Sequence, residues 1–162
     1  MSQSVTMIRT KDELIIETSM APADIIQITA STNGPSGNLT ATPVGNKIHI
    51  ELKGSGLLHR EDETLCNKQD ISTIKVAGTY TTAALQTPGT FDISFAGLST
   101  VSNSKLVKLK GADEFITSDI IYSALQVTFA PASNSVSGAV DATHTFTAKF
   151  KPKPSKVKQL FA

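Results

Sequence analysis

The chain has 162 residues, with 15 Lys and Arg against 14 Asp and Glu, for a net charge of +1. That length suits one domain with its own core, and the charge balance excludes a long-range field that would gather nucleic acid or acidic lipid. With 40% hydrophobic and 18% charged residues the composition excludes disorder, and the single cysteine, Cys66, excludes an internal disulfide.

Hydroxyls stand where charge is missing: the chain holds 20 Thr and 17 Ser. Thr is β-branched and favours strands, Ser favours turns, and exposed helix faces would instead carry Lys, Glu and Arg. The first ten residues contain no apolar run of signal-peptide length, and the longest apolar runs are trios such as Leu14-Ile15-Ile16. The expectation is therefore a protein made in the cytoplasm, without a signal peptide or a membrane span, that stays there or leaves inside an assembled particle.

In chain order, Val5–Arg9 and Glu13–Thr18 read as two strands of a hairpin broken at Lys11-Asp12. Asp24–Ser31 reads as strand because Ile and Thr dominate it. After the turn cluster Asn33–Asn38, Leu39–Val44 and Lys47–Lys53 form a hairpin across Gly45-Asn46, with Ile48, Ile50 and Leu52 on one face. Gly54–Asp70 is irregular. Ile71–Tyr80 returns to strand, Thr81–Gly89 is loop, and Phe91, Ile93 and Phe95 alternate with polar residues. Lys105–Lys110 is a short strand. Ala112–Tyr122 is the one helical candidate, with Asp113 as its cap, and extended structure is the alternative. Leu125, Val127 and Phe129 alternate as a strand, and Pro131–Ser137 turns. Val140–Lys151 alternates without a break, with Val140, Ala142, His144, Phe146, Ala148 and Phe150 on one face.

Such strands, half in a core and half in water, belong to antiparallel sheets. The fold class expected is all-β: an antiparallel β-sandwich or barrel of about eight to ten short strands, with at most one short helix near 112–122. Residues 1–151 form the single β domain, and 152–162 a basic Pro/Lys arm.

Candidate sites are few. His59, Glu61, Asp62 and Glu63, with Cys66 nearby, are the only cluster with metal-ligating chemistry, and their oxygens would suit Ca²⁺. The spacing of a calcium-wrapping loop is absent, so a solvated acidic loop is the plainer reading and no metal is assigned. Cys66 with His59 as base is the only nucleophile pair, against the reading of Cys66 as a small buried hydrophobe. His144 is a core histidine with a satisfied ring, a subunit contact, or a pH sensor. Gly54-Ser55-Gly56 lacks the third glycine of a dinucleotide loop, and Asn38-Leu39-Thr40 matches a glycosylation pattern by chance. In the arm, Lys153, Lys156, Lys158, Leu160 and Phe161 are candidate partner contacts; the terminal Leu-Phe pair favours docking over an idle tail.

No cofactor and no enzymatic activity are expected. In texture the chain resembles small bacteriophage virion proteins of the tail-tube, capsid or decoration kind. That resemblance implies a structural, self-associating role among other structural subunits, with nucleic acid touched by the arm at most. The alternative is a small β-sandwich module that binds carbohydrate or another small ligand. Its support is thin, because sugar platforms are aromatic and the chain has no Trp and only Tyr80 and Tyr122.

Overall fold

The computed structural model describes residues 8–19, 25–33, 37–54, 59–60, 63–66, 68–82, 85–95, 107–108, 114–115, 121–122 and 125–153. Within them every strand pairing is antiparallel. The strands are β1 (Glu13–Thr18), β2 (Ile25–Thr32), β3 (Asn38–Val44), β4 (Lys47–Glu51), β5 (His59–Arg60), β6 (Glu63–Thr64), β7 (Ile74–Thr82), β8 (Leu85–Ser94), β9 (Val107–Lys108), β10 (Glu114–Phe115), β11 (Ile121–Tyr122), β12 (Gln126–Ala130) and β13 (Phe146–Lys151). One short helix, α1 (Lys68–Ser72), precedes β7.

Nine strands make one sheet in the order β11-β13-β1-β4-β3-β2-β7-β8-β12, and it curls into a half-barrel. Period-2 alternation decides which face curls inward. In β1, Leu14 lies between Phe150 and Ile50, and Ile16 between Ala148 and Ile48, forming one apolar inward row. The outward row sets Glu13 beside Lys151 and Glu17 beside Lys47. Across the curl, Phe91 of β8 meets Phe146 of β13 with ring centroids 5.2 Å apart. Tyr80, Phe91, Ile93, Ile48, Ile50, Leu14 and Ile16 all belong to a single buried cluster. Each such side chain stabilises the fold by about 1.5–3 kcal/mol relative to exposure.

The two halves of the sheet are joined narrowly. Strands β2 and β3 pair only at Ala30–Leu39 and Ser31–Asn38. Beyond that they part, and Ile26 and Val44 are more than half exposed where they diverge. Ile26 falls at a bulge in the β2–β7 ladder, which throws the extra residue outward.

Glycine makes the β7–β8 ladder possible. Gly78 pairs with Phe91, and Gly89 with Tyr80. A Cβ on Gly78 would lie 2.1 Å from the Phe91 ring, and one on Gly89 2.1 Å from the Tyr80 ring. Each aromatic ring therefore covers the bare backbone opposite it, an arrangement that fills the core where a glycine leaves a gap.

Several expectations are corrected. The hairpin of 5–9 with 13–18 does not form: β1 has β4 on one side and β13 on the other, and Arg9 bridges Leu65 instead. The 9–12 segment is a tight turn, closed by a 3.1 Å hydrogen bond from the Asp12 amide to the Arg9 carbonyl, with Lys11 at φ 74°. Strand β8 begins at Leu85, inside the expected 81–89 loop, because β7 and β8 form a tighter hairpin than Pro88-Gly89 suggests. The expected strand at 71–80 opens with the end of α1 and is extended from Ile74. In the window 112–122 the described residues Glu114–Phe115 and Ile121–Tyr122 are strands, in keeping with its β-branched content. The last strand is half as long as its alternation implies: Val140 is 62% exposed, and the regular strand starts at Phe146. The reason lies in the polar contacts of Asp141, described next.

Candidate functional site

A polar chain runs inward from the end of β1. The Ser19 hydroxyl is 3.1 Å from His144 Nδ1, and its Oγ accepts the Thr145 amide at 3.0 Å. His144 Nε2 is 2.9 Å from Asp141 Oδ2. The same oxygen accepts the Tyr80 hydroxyl at 2.8 Å, and that hydroxyl accepts the buried Ala132 amide at 2.9 Å. An ionised carboxylate only accepts, so a neutral His144 carries its proton on Nε2 and leaves Nδ1 to take the serine proton. The hydrogen bond from His144 is the largest influence holding the Asp141 carboxyl below its usual range; burial, next in size, opposes it, and the bonds from Tyr80 and the Ala142 amide add to the lowering.

These bonds replace the ladder that the alternation of 140–145 suggests. The Asp141 side chain satisfies the Ala142 amide locally and Ser19, distant in sequence, satisfies the Thr145 amide, which competes with strand pairing. The His144 ring makes T-shaped contacts with Tyr80, at 5.6 Å between centroids, and with Phe129, at 5.8 Å. The residue types match a nucleophile, base and carboxylate. The two clefts described below are lined by none of Ser19, His144 or Asp141. The chain fastens the 141–145 segment over the Tyr80 ring.

A second buried polar group sits at the far margin. Asp12 is fully buried, with Arg9 5% exposed beside it and Arg9 Nε 3.6 Å from Oδ1. Its carboxylate accepts the Arg9 amide at 3.0 Å and the Lys153 amide at 2.9 Å. The turn before β1 is thereby tied to the chain just after β13.

The residues singled out in the sequence fall as follows. Strand β5 pairs His59 with Thr64 and Arg60 with Glu63 of β6, while Glu61 and Asp62 lie outside the described residues. Among the described residues no three His, Cys, Asp or Glu side chains gather as a metal site. Cys66 is fully buried in the core cluster. Its thiol is pushed well up, by burial first and then by the Asp70 and Asp12 carboxylates, so the reactive thiolate is disfavoured there. Lys153 is described and exposed, and its amide makes the bond to Asp12. Lys156, Lys158, Leu160 and Phe161 lie outside the described residues.

The outer face of β2, β7, β8 and β12 carries an open trough of about 750 Å³. Thr29, Ser31, Ser94, Gln126 and Thr128 line it, with Lys75 and Asp92 its charged groups. A smaller cleft of about 350 Å³ continues it past Thr79 and Thr90. The sequence reading missed this face, since its hydroxyls are spread over four strands and only the strand order brings them together.

At the outer end of the same half, β12 pairs with β8 alone among the described residues. Its sequence, Gln-Val-Thr-Phe-Ala, holds no charge and no proline. The opposite margin is different: β11 covers β13 at Lys149 and Ala148, and Lys149 and Lys151 alternate along its outer row.

No protein-family model matches the chain, and no curated protein is similar to it. Among the described residues, no helix is long and apolar enough to cross a membrane.

Proposed function

We propose that the protein is a non-enzymatic assembly subunit that packs against copies of itself or into a larger particle, as virion components of the tail-tube, capsid or decoration kind do. One observation supports this above the others: among the described residues β12, an end strand of the curled sheet, pairs with β8 alone and carries no charge. A bare strand edge is a template for another chain, and stable monomers block it with lysine, proline, a bulge or a covering segment. Apolar side chains stand in water nearby, with Val136 at 88% and Val140 at 62% exposure. The near-neutral charge of +1 removes the repulsion that would keep copies apart.

Sedimentation velocity across a hundredfold range of concentration tests the reading. A rise in sedimentation coefficient toward a defined oligomer or tube is the expected result. A monomer throughout, with no partner subunit retained, would overturn it.

A second reading rests on the trough. Its volume of about 750 Å³ and its mixed lining, hydroxyls and an amide beside Val76, Ala77, Ile93 and Val127, suit a small ligand or a carbohydrate. No aromatic side chain lines it, which removes the usual stacking platform for a sugar. Calorimetric titration of oligosaccharides into wild type and Asp92→Ala tests it: heat lost in the variant supports the reading, and no heat in either refutes it.

A further inference from the structure

We infer that the trough on the outer face of β2, β7, β8 and β12 takes a sugar that carries one carboxylate, a uronic acid, with the acid group at Lys75 and ring hydroxyls at Asp92. This deepens the ligand reading of the trough and rests on it.

The ladders set the outer side chains in register across four strands. One row runs Ser31, Lys75, Ser94, Gln126, and the next runs Thr29, Ala77, Asp92, Thr128. Neighbours in a row are one strand spacing apart, about 4.8 Å. Ala77 gives the face its hollow. It has the smallest side chain in its row, and longer ones surround it: Thr29 and Asp92 across the sheet, Lys75 and Thr79 along β7. The floor and its walls meet solvent, since Ala77, Thr29, Lys75, Asp92, Gln126 and Thr128 are all exposed.

The two rows differ in what they offer a ligand. Lys75 only donates and carries the positive charge, and Ser31 beside it has a hydroxyl to donate. Asp92, when ionised, only accepts, while Thr29 and Thr128 at the ends of its row do both. Lys75 pairs with Ser94 and Asp92 with Ala77, so the two charges are diagonal neighbours, about 7 Å apart at Cβ. Among the described residues no ion pair joins them. The complementary ligand therefore brings an anionic oxygen to Lys75, hydrogen-bond donors to Asp92 a ring's width away, and groups that donate and accept to the threonines. A uronic acid carries all three on one ring, because its carboxylate lies across the ring from a pair of hydroxyls. An amino acid answers the two charges but has no hydroxyl array for the threonines. The smaller cleft past Thr79 and Thr90 leads on from the trough, which leaves room for a second ring.

The test uses uronate-ended disaccharides of the gluco, galacto and manno series, each beside its neutral counterpart, titrated into the full chain and read by amide NMR shifts. We expect an acid-ended sugar to bind about tenfold tighter than its neutral counterpart, with shifts centred on β7 and β8, because a charge-assisted bond is added. Lys75→Met should remove that advantage, and Lys149→Met, on β13, should keep it. Ala77→Phe fills the floor from the solvent side and should abolish binding of both sugars with an unchanged circular dichroism spectrum. Equal affinity for acid and neutral sugars, or an advantage that survives Lys75→Met, overturns the acid assignment and leaves the carbohydrate reading standing. Binding that survives Ala77→Phe puts the sugar elsewhere and overturns both, as does a spectrum that no disaccharide shifts.

Discussion

Strand β12 ends one side of the sheet and β13 lies next to β11, which ends the other, and the outer rows of β12 and β13 differ. Lys149 and Lys151 alternate along β13, and β11 caps part of its length, whereas β12 shows only Gln126, Thr128 and Ala130 to the outside. Their anchors differ as well. The β13 margin is fastened by a buried carboxylate, Asp12, that binds the Lys153 amide. The β12 margin is fastened by an aromatic hydroxyl, Tyr80, that binds the Ala132 amide just past the strand. Among the described residues one margin carries charge and the other none, and both are held from within by a buried polar group.

The largest expected effect comes from the Tyr80 anchor. Tyr80→Ala removes a fully buried ring and its hydroxyl, and should cost about 3–5 kcal/mol in urea unfolding. Tyr80→Phe keeps the ring and leaves the Ala132 amide without its acceptor, for about 1–2 kcal/mol. If the two variants cost the same, the hydroxyl rather than the packing holds this margin. Asp12→Ala attacks the other margin. It leaves the Arg9 guanidinium buried with its carboxylate gone and frees the chain after β13, for about 3 kcal/mol in the same measurement. Hydrogen exchange in that variant should rise first in β1 and β13; a rise first in β12 would break the distinction between the anchors.

A smaller effect is expected with pH. The Asp141 carboxyl titrates below its ordinary value of 3.8 because the native state hydrogen-bonds its charged form. Its contribution is whole above that value and is lost as pH falls through the lowered folded value. Melting temperature should therefore drop more steeply below about pH 4 in wild type than in Asp141→Asn. Parallel curves would remove the carboxylate from the anchor.

The smallest change in stability, within about 0.5 kcal/mol, is expected for Lys149→Thr with Lys151→Thr, both on the surface. Their effect should appear in light scattering as new concentration-dependent association through the unguarded edge. A double variant no stickier than wild type would mean that the lysines are not what guards the β13 margin.

Much of the fold was legible in the sequence because strands carry a local rhythm. The Gly45-Asn46 hairpin, the Phe91–Phe95 alternation and the Leu125–Phe129 strand all follow from neighbouring residues, and Gly45 takes the positive φ of 62° that its turn requires. What the rhythm cannot carry is pairing between distant strands. Nothing in Leu14-Ile15-Ile16 says that it lies between β4 and β13 rather than beside the segment before it. Gly78 and Gly89 look like weak points in a strand until the register sets Phe91 and Tyr80 over them. The alternation of Val140–Lys151 misled for a related reason. Asp141 and His144 have the right period for a strand, but their side chains find partners in Tyr80 and Ser19, from far along the chain. The candidate margin was half visible: the lysines of β13 stand out in the sequence, while the bareness of β12 means something only once it is known to end a sheet.

The place of β1 between β4 and β13 also governs how the protein can be made. Residue pairs from Glu13–Lys151 to Thr18–Phe146 join the first and last of the described strands, so during translation β1 waits beside β4 with its other side unfilled until β13 has left the ribosome. The half containing β2, β7, β8 and β12 meets no such delay, because its strands lie closer together along the chain. Long-range closure of this kind is slow, and the nascent chain passes through a stage in which its core is roofed on one side only.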